Sequence, residues 1–170
     1  MIRKLVLLIT LLSMQGMFAV YAGNNIMQLN DVTAQAGENI TLGLEVFNDD
    51  QFVAFQVDVP LPEGFGYVAG SIIPNPARSN GHMTQANVLP NTNIFRAIGF
   101  SMTNAAYLGN SGAIVFFDFT TPQTSGTFDL ILQGAILGNI QGVNILTGTN
   151  DGSVTLIGTS YNVNFIIKDP

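Results

Sequence analysis

Asn39-Ile-Thr-Leu-Gly-Leu-Glu-Val-Phe47 and Phe52-Val-Ala-Phe-Gln-Val-Asp-Val59 are the two most regular stretches of the chain. In the first, Leu42, Leu44 and Val46 alternate with Thr41 and Glu45. In the second, Val53, Phe55, Val57 and Val59 alternate with Phe52, Ala54, Gln56 and Asp58. A period of two sends successive side chains to opposite faces, so each stretch reads as a strand with one side on a core. Gly37-Glu38 before the first and Asn48-Asp49-Asp50 after it supply turn chemistry. Pro60-Leu-Pro-Glu-Gly64 ends the second, because proline cannot donate to a ladder and glycine opens a turn.

Elsewhere in the chain the same pattern predicts strands at 67–72, 83–89, 94–101, 114–120, 127–137 and 152–157. No window beyond the N-terminal segment carries a helical period. Short strands with closely spaced turn signals predict an all-β protein, a two-sheet jelly-roll-like β-sandwich of about nine strands. Two stretches are less regular. Residues 74–93 are rich in Asn and Pro and hold Arg78 and the single histidine, His82; residues 105–112 carry Tyr107. Both read as loops at the ends of the sandwich.

The termini carry different signals. Arg3 and Lys4 precede the apolar run Leu5-Val-Leu-Leu-Ile-Thr-Leu-Leu12, and Val20-Tyr21-Ala22 stands before Gly23. A basic start, a short apolar middle and a small residue predict a secretory signal peptide over 1–22, cut after Ala22. The apolar run is shorter than the ~20 residues of a membrane span, so no membrane insertion is expected after cleavage. The sandwich is assigned to 23–158. Ser160-Tyr-Asn-Val-Asn-Phe-Ile-Ile-Lys168 alternates again, and 159–170 reads as a terminal strand or a linker stub.

Cleavage leaves three basic side chains, Arg78, Arg96 and Lys168, against eleven acidic ones, a net charge of −8. Phosphate backbones need Lys/Arg clusters, so nucleic acid is not an expected partner. The chain has no cysteine, which excludes disulfides, thiolate metal sites and a lipid-modified N-terminal cysteine.

The order of motifs resembles that of cohesin-type domains. Gly37-Glu-Asn-Ile-Thr-Leu42, Phe52-Val-Ala-Phe-Gln-Val-Asp58 and Leu61-Pro-Glu-Gly64 carry the opening of that resemblance. Phe95-Arg-Ala-Ile-Gly-Phe-Ser101 and Gly109-Asn-Ser-Gly-Ala-Ile-Val-Phe-Phe-Asp-Phe119 follow in order. Ser125-Gly-Thr-Phe-Asp-Leu-Ile-Leu132, Ala135-Ile-Leu137 and Asp151-Gly-Ser-Val-Thr-Leu156 close it, so that it spans 26–157. The resemblance implies the sandwich shared with several carbohydrate-binding modules, and recognition of a dockerin-like module through one sheet face. Cellulosomal members often show Asn and Asp on the strand equivalent to 52–59; the matching positions here are Ala54 and Gln56.

Catalytic chemistry is sparse. A nucleophile needs an adjacent base, and His82 in Ser79-Asn-Gly-His82 is the only imidazole. Lys168 lies in the terminal segment, Glu63 in an ordinary turn, and Asp118 between two phenylalanines. No enzyme activity, catalytic residue or cofactor is expected. Asp49-Asp50 and Thr149-Asn-Asp-Gly152 offer oxygen ligands, but their spacing is that of turns and not of a calcium loop, so no metal site is assigned. The expected function is a non-catalytic secreted or cell-surface binding module for an extracellular protein. Gln56, Asp58, Gln85, Asn87 and Arg96 are its candidate contact residues. Arg96 suits either a partner's carboxylate or an ion pair within the sandwich. The alternatives are polysaccharide binding, with Tyr67 and Tyr107 as stacking rings, or a structural spacer.

Overall fold

The computed structural model describes residues 23–158. Within them the chain runs β1 (Asn25–Leu29), β2 (Val32–Gln35), β3 (Asn39–Asn48), β4 (Ala54–Pro60), β5 (Gly66–Tyr67), β6 (Ile73–Pro74) and β7 (Met83–Val88). It continues through β8 (Ile94–Phe100), β9 (Ala113–Thr120), β10 (Gly126–Leu130), β11 (Gln133–Gly138), β12 (Gly148–Asn150) and β13 (Gly152–Ile157). The sequence readings for 1–22 and 159–170 lie outside the described residues.

Two layers face one another, as a jelly-roll-like sandwich requires. One sheet has the order β12-β1-β3-β9-β5, with β6 also pairing with β9; the other has the order β11-β4-β8-β7. A smaller three-stranded sheet, β10-β13-β2, uses the far halves of segments that also feed the two layers. β1 pairs antiparallel with β3, whereas β2, two residues later, pairs parallel with β13. Leu42, Leu44 and Val46 of β3 and Phe117 and Phe119 of β9 point inward. Phe55, Val57 and Val59 of β4 and Phe95 and Ala97 of β8 are buried in the same core. Phe95 sits at its centre, with ring centroids 4.8 Å from Phe117 and 5.0 Å from Phe119. Area removed from water by these side chains is the main stabilising term, at about 25 cal/mol per Å2.

Several sequence expectations change. The predicted strand 127–137 is two strands on different sheets: β10 pairs with β13 and β11 with β4. Leu130 and Leu132 are both buried, so one apolar run serves two layers while the chain crosses between them. The Leu132 N–H donates to Asp151 Oδ1 at 2.8 Å and pins that crossing. Of the predicted strand 67–72 only Tyr67 lies in a strand, and the two-residue pieces β5 and β6 on β9 flank the rest. Gly70, at φ +78°, turns the chain between them, and Pro74 cannot extend a ladder. Phe52, which the alternation groups with Gln56 and Asp58, is fully buried, because the strand starts only at Ala54 and Phe52 turns inward from the connection. Strands β1, β2 and β12 were not anticipated; their polar Asn, Gln and Thr residues mask the inward Met27 and Leu29.

Candidate functional site

The outer face of β11-β4-β8-β7 brings together all five residues read from the sequence as partner contacts. The register sets them in rows. Gln133, Asp58, Arg96 and Asn87 lie side by side across the four strands, and Ile136, Gln56, Ile98 and Gln85 form the next row. Gly138, Ala54, Phe100 and Met83 make a third. The parity of β8 explains the arrangement: Phe95, Ala97 and Gly99 face the core, so Arg96, Ile98 and Phe100 face outward.

Arg96 resolves to one of its two sequence readings. Its Nε and Nη2 donate to Asp58 Oδ1 and Oδ2, each at 2.6 Å, a bidentate pair between neighbouring strands. The hydrogen bonds to Asp58 hold the guanidinium even more firmly protonated. This is the only ion pair among the described residues, and it cancels the only acid and the only base on the four strands. A chain that is strongly acidic overall therefore presents a face without net charge.

What remains on the face is apolar and amide. Met83, Phe100 and Ile136 are exposed and Ile98 is half-buried, with Gln85 and Asn87 exposed beside them. A shallow depression of about 120 Å3 between β7 and β8 is lined by Gln85, Ala86, Asn87, Leu89, Arg96 and Ile98. Opposite, β11 bulges between Gln133 and Ile136. Gly134 takes φ +52° there, where a Cβ would stand 3.4 Å from Asp58 Oδ2. Its carbonyl accepts from Gln56 Nε2 at 3.3 Å. Sequence reasoning picked out the polar members of the face and missed Met83, Ile98, Phe100 and Ile136. The signal was present in the alternation, since any residue two places from Arg96 shares its side, but apolar side chains were assigned to the core by default.

The sugar-stacking expectation is corrected. Tyr107 is only 4% exposed, stacked on Phe52 with centroids 4.6 Å apart, and burial pushes its phenol upward. Tyr67 packs on Phe95 at 4.9 Å, with its hydroxyl buried. The Tyr107 ring is enclosed and not available to a glycan, and Tyr67 is half-buried with its hydroxyl turned inward. His82 and Arg78, read as loop residues, are buried beside Tyr107 and do not belong to the outer face.

A second concavity, about 730 Å3, opens at one end between the β3–β4 and β11–β12 connections and is lined in part by Asn25, Asp49 and Asp50. Its carboxylates serve the fold: Asp49 Oδ2 accepts from the Asn24 N–H at 2.8 Å and Asp50 Oδ2 from Asn25 Nδ2 at 2.9 Å. Asp118 Oδ1 accepts from Thr41 Oγ1 at 2.6 Å on the opposite sheet. Among the described residues, no three His, Cys, Asp or Glu side chains converge as metal ligands.

With this geometry in place, the fold matches that of cohesins. A non-cellulosomal cohesin from Archaeoglobus fulgidus is similar at 16% identity and a TM-score of 0.64, over 79% of this chain and 92% of that one. A type I cohesin in complex with its dockerin, from Clostridium thermocellum, aligns over 80% of this chain and 95% of its own, at 9% identity and TM-score 0.68. The solution structure of a cohesin from Clostridium acetobutylicum gives 13% identity and 0.67, covering 84% and 96%. No family model and no curated protein matches the sequence. The chain thus has the cohesin-type sandwich, at an identity that establishes the fold.

Proposed function

We propose that this is a non-catalytic protein-recognition module that is exported and takes a dockerin-like protein module on the outer face of β11-β4-β8-β7. The observation that carries the reading is the composition of that face. Apolar and amide side chains stand in register across four strands, with its single charge pair satisfied internally. Such a surface favours a partner offering aliphatic and hydrogen-bonding groups, since buried apolar contacts at the centre of an interface supply most of its energy. Structures of the same fold are recorded in complex with dockerins, which supports that class of partner. The basic, apolar and small-residue order of 1–22 supports export.

The test compares the two sheets. A dockerin-like protein captured by the full chain from the source culture medium is titrated calorimetrically against the parent, Ile98→Asp and Phe47→Asp. Phe47 is exposed on the β3 side, on the other layer. Ile98→Asp is expected to weaken binding at least tenfold with the melting temperature unchanged, and Phe47→Asp to leave it intact. Loss through Phe47→Asp alone places recognition on the other sheet. Because the face is neutral, affinity is expected to vary little between low and moderate salt.

A further inference from the structure

The segments 75–82 and 101–112 are clasped together below β7. Asn75 Nδ2 donates to the Ala113 carbonyl at 2.7 Å, and the Leu108 N–H to the Arg78 carbonyl at 2.8 Å. The Tyr107 N–H reaches the Phe52 carbonyl at 3.0 Å. Arg78, 4% exposed, reaches Asn48 Oδ1 at 2.8 Å and the Val46 carbonyl at 3.3 Å. Three rings stack in the clasp: His82 on Tyr107 with centroids 3.5 Å apart, and Tyr107 on Phe52. His82 is 7% exposed, and its Nδ1 accepts the Asn80 N–H at 3.0 Å. That bond needs the Nδ1 lone pair, so the ring is held neutral with its proton on Nε2. Nε2 faces the Ala105 backbone without a well-formed hydrogen bond, and Arg78 Nε and Tyr107 Oη have no hydrogen-bond partner.

We propose that His82 is an acid-sensitive latch: protonation at Nδ1 breaks its bond to Asn80 and opens the clasp between 75–82 and 101–112. A proton on Nδ1 removes the acceptor and leaves a second buried cation near Arg78. The groups that meet the ring or its stack are Arg78 on its own segment, Tyr107 on the facing one, Asn48 at the end of β3 and Phe52 on the β3–β4 connection. No carboxylate pairs with either His82 or Arg78 among the described residues. Burial, opposed in part by the Ala105 backbone, pushes the imidazole below 6.5, its ordinary value. The sign follows. The unfolded or opened ring takes up its proton near pH 6.5, and the closed ring only at lower pH. The clasp therefore keeps its full stability above 6.5 and weakens as pH falls from there toward the value of the closed ring, by at most roughly tenfold in its opening constant per pH unit. His82 directly precedes β7, whose first residue, Met83, pairs with Phe100. Opening therefore reaches the edge of the outer face; this consequence rests on the proposed docking role of that face, and the latch itself does not.

The test is amide hydrogen exchange by NMR on the full chain between pH 7.5 and 5.5, corrected for intrinsic rates. Asn80, Tyr107 and Leu108 are expected to lose protection progressively below pH 6.5 while the core strand amides of β3 and β9 keep theirs. In His82→Phe, which keeps a stacking ring and cannot titrate, protection at these amides is expected to become independent of pH over this range. Unchanged protection in the parent, or the same loss in His82→Phe, overturns the proposal. Direct titration of the His82 Cε1–H resonance keeps the proposal testable if that variant does not fold: a midpoint at or above 6.5 overturns it.

Discussion

Gly99→Ala probes the parity of β8, on which the whole assignment of the outer face depends. Gly99 faces the core, and a Cβ there would overlap the Phe55 ring and stand 2.7 Å from Tyr107 Oη. Tyr107 cannot withdraw freely, because Phe52 and His82 hold its ring from both sides. Forcing an extra methyl into a filled core costs about 1–3 kcal/mol. Replacing a strand glycine returns about 0.5–1 kcal/mol, because alanine loses less backbone freedom on folding. The difference spans about 0–2.5 kcal/mol, and the overlap with the Phe55 ring, which Tyr107 cannot relieve, puts it at the upper end, about 2 kcal/mol or roughly 4–10 °C in melting temperature for a domain of this size. The chain has no tryptophan, so urea and thermal unfolding followed by far-ultraviolet circular dichroism is the suitable assay. Adding Phe55→Leu should make the two changes non-additive, since the smaller side chain vacates the space that the new methyl needs. Ile98→Thr, one residue away on the outer side, should alter stability by less than about 1 kcal/mol. A Gly99→Ala protein as stable as its parent, or a larger loss from Ile98→Thr, would refute the inward–outward order and with it the composition of the face.

Asn25 is 1% exposed; it donates to Asp50 Oδ2 and the Ile145 carbonyl and accepts from the Asp50 N–H. Asn25→Ala is expected to cost about 2–4 kcal/mol in denaturant titration, since each lost bond contributes about 1 kcal/mol and partners are left unpaired; a loss under about 1 kcal/mol would show that the loops are tied elsewhere. Arg96→Met is expected to lower the melting temperature modestly: Arg96 is 39% exposed and screened by water, but Asp58, only 14% exposed, is left without its partner. A large drop there would mean that the ion pair holds β4 to β8.

Much of the fold was legible because alternation is a local property. Leu42, Leu44 and Val46, or Phe95 and Ala97, declare their side by spacing alone, and Pro60 and Gly64 declare a stop. The crossing at Ile131–Leu132 was not legible, since one apolar run looks the same whether it stays in one sheet or passes between two. The weak strands β1 and β12 were hidden for a related reason: their hydrogen bonds come from partners far along the chain, Phe47 for Ile26 and Ile26 for Gly148.

Local residue order is enough for the all-β class, the absence of cysteine chemistry, the acidic charge and the polar candidates on alternating positions. Which of those candidates share a surface depends on the strand order of the folded chain. Strand order is set by pairing between distant residues, and it places Asn87, Arg96, Asp58 and Gln133 in one row although they come from four strands. Tertiary packing also reversed the roles of two aromatic residues, because the space under β8 and β9 draws Tyr107 and Tyr67 inward, where apolar burial outweighs the cost of their buried hydroxyls.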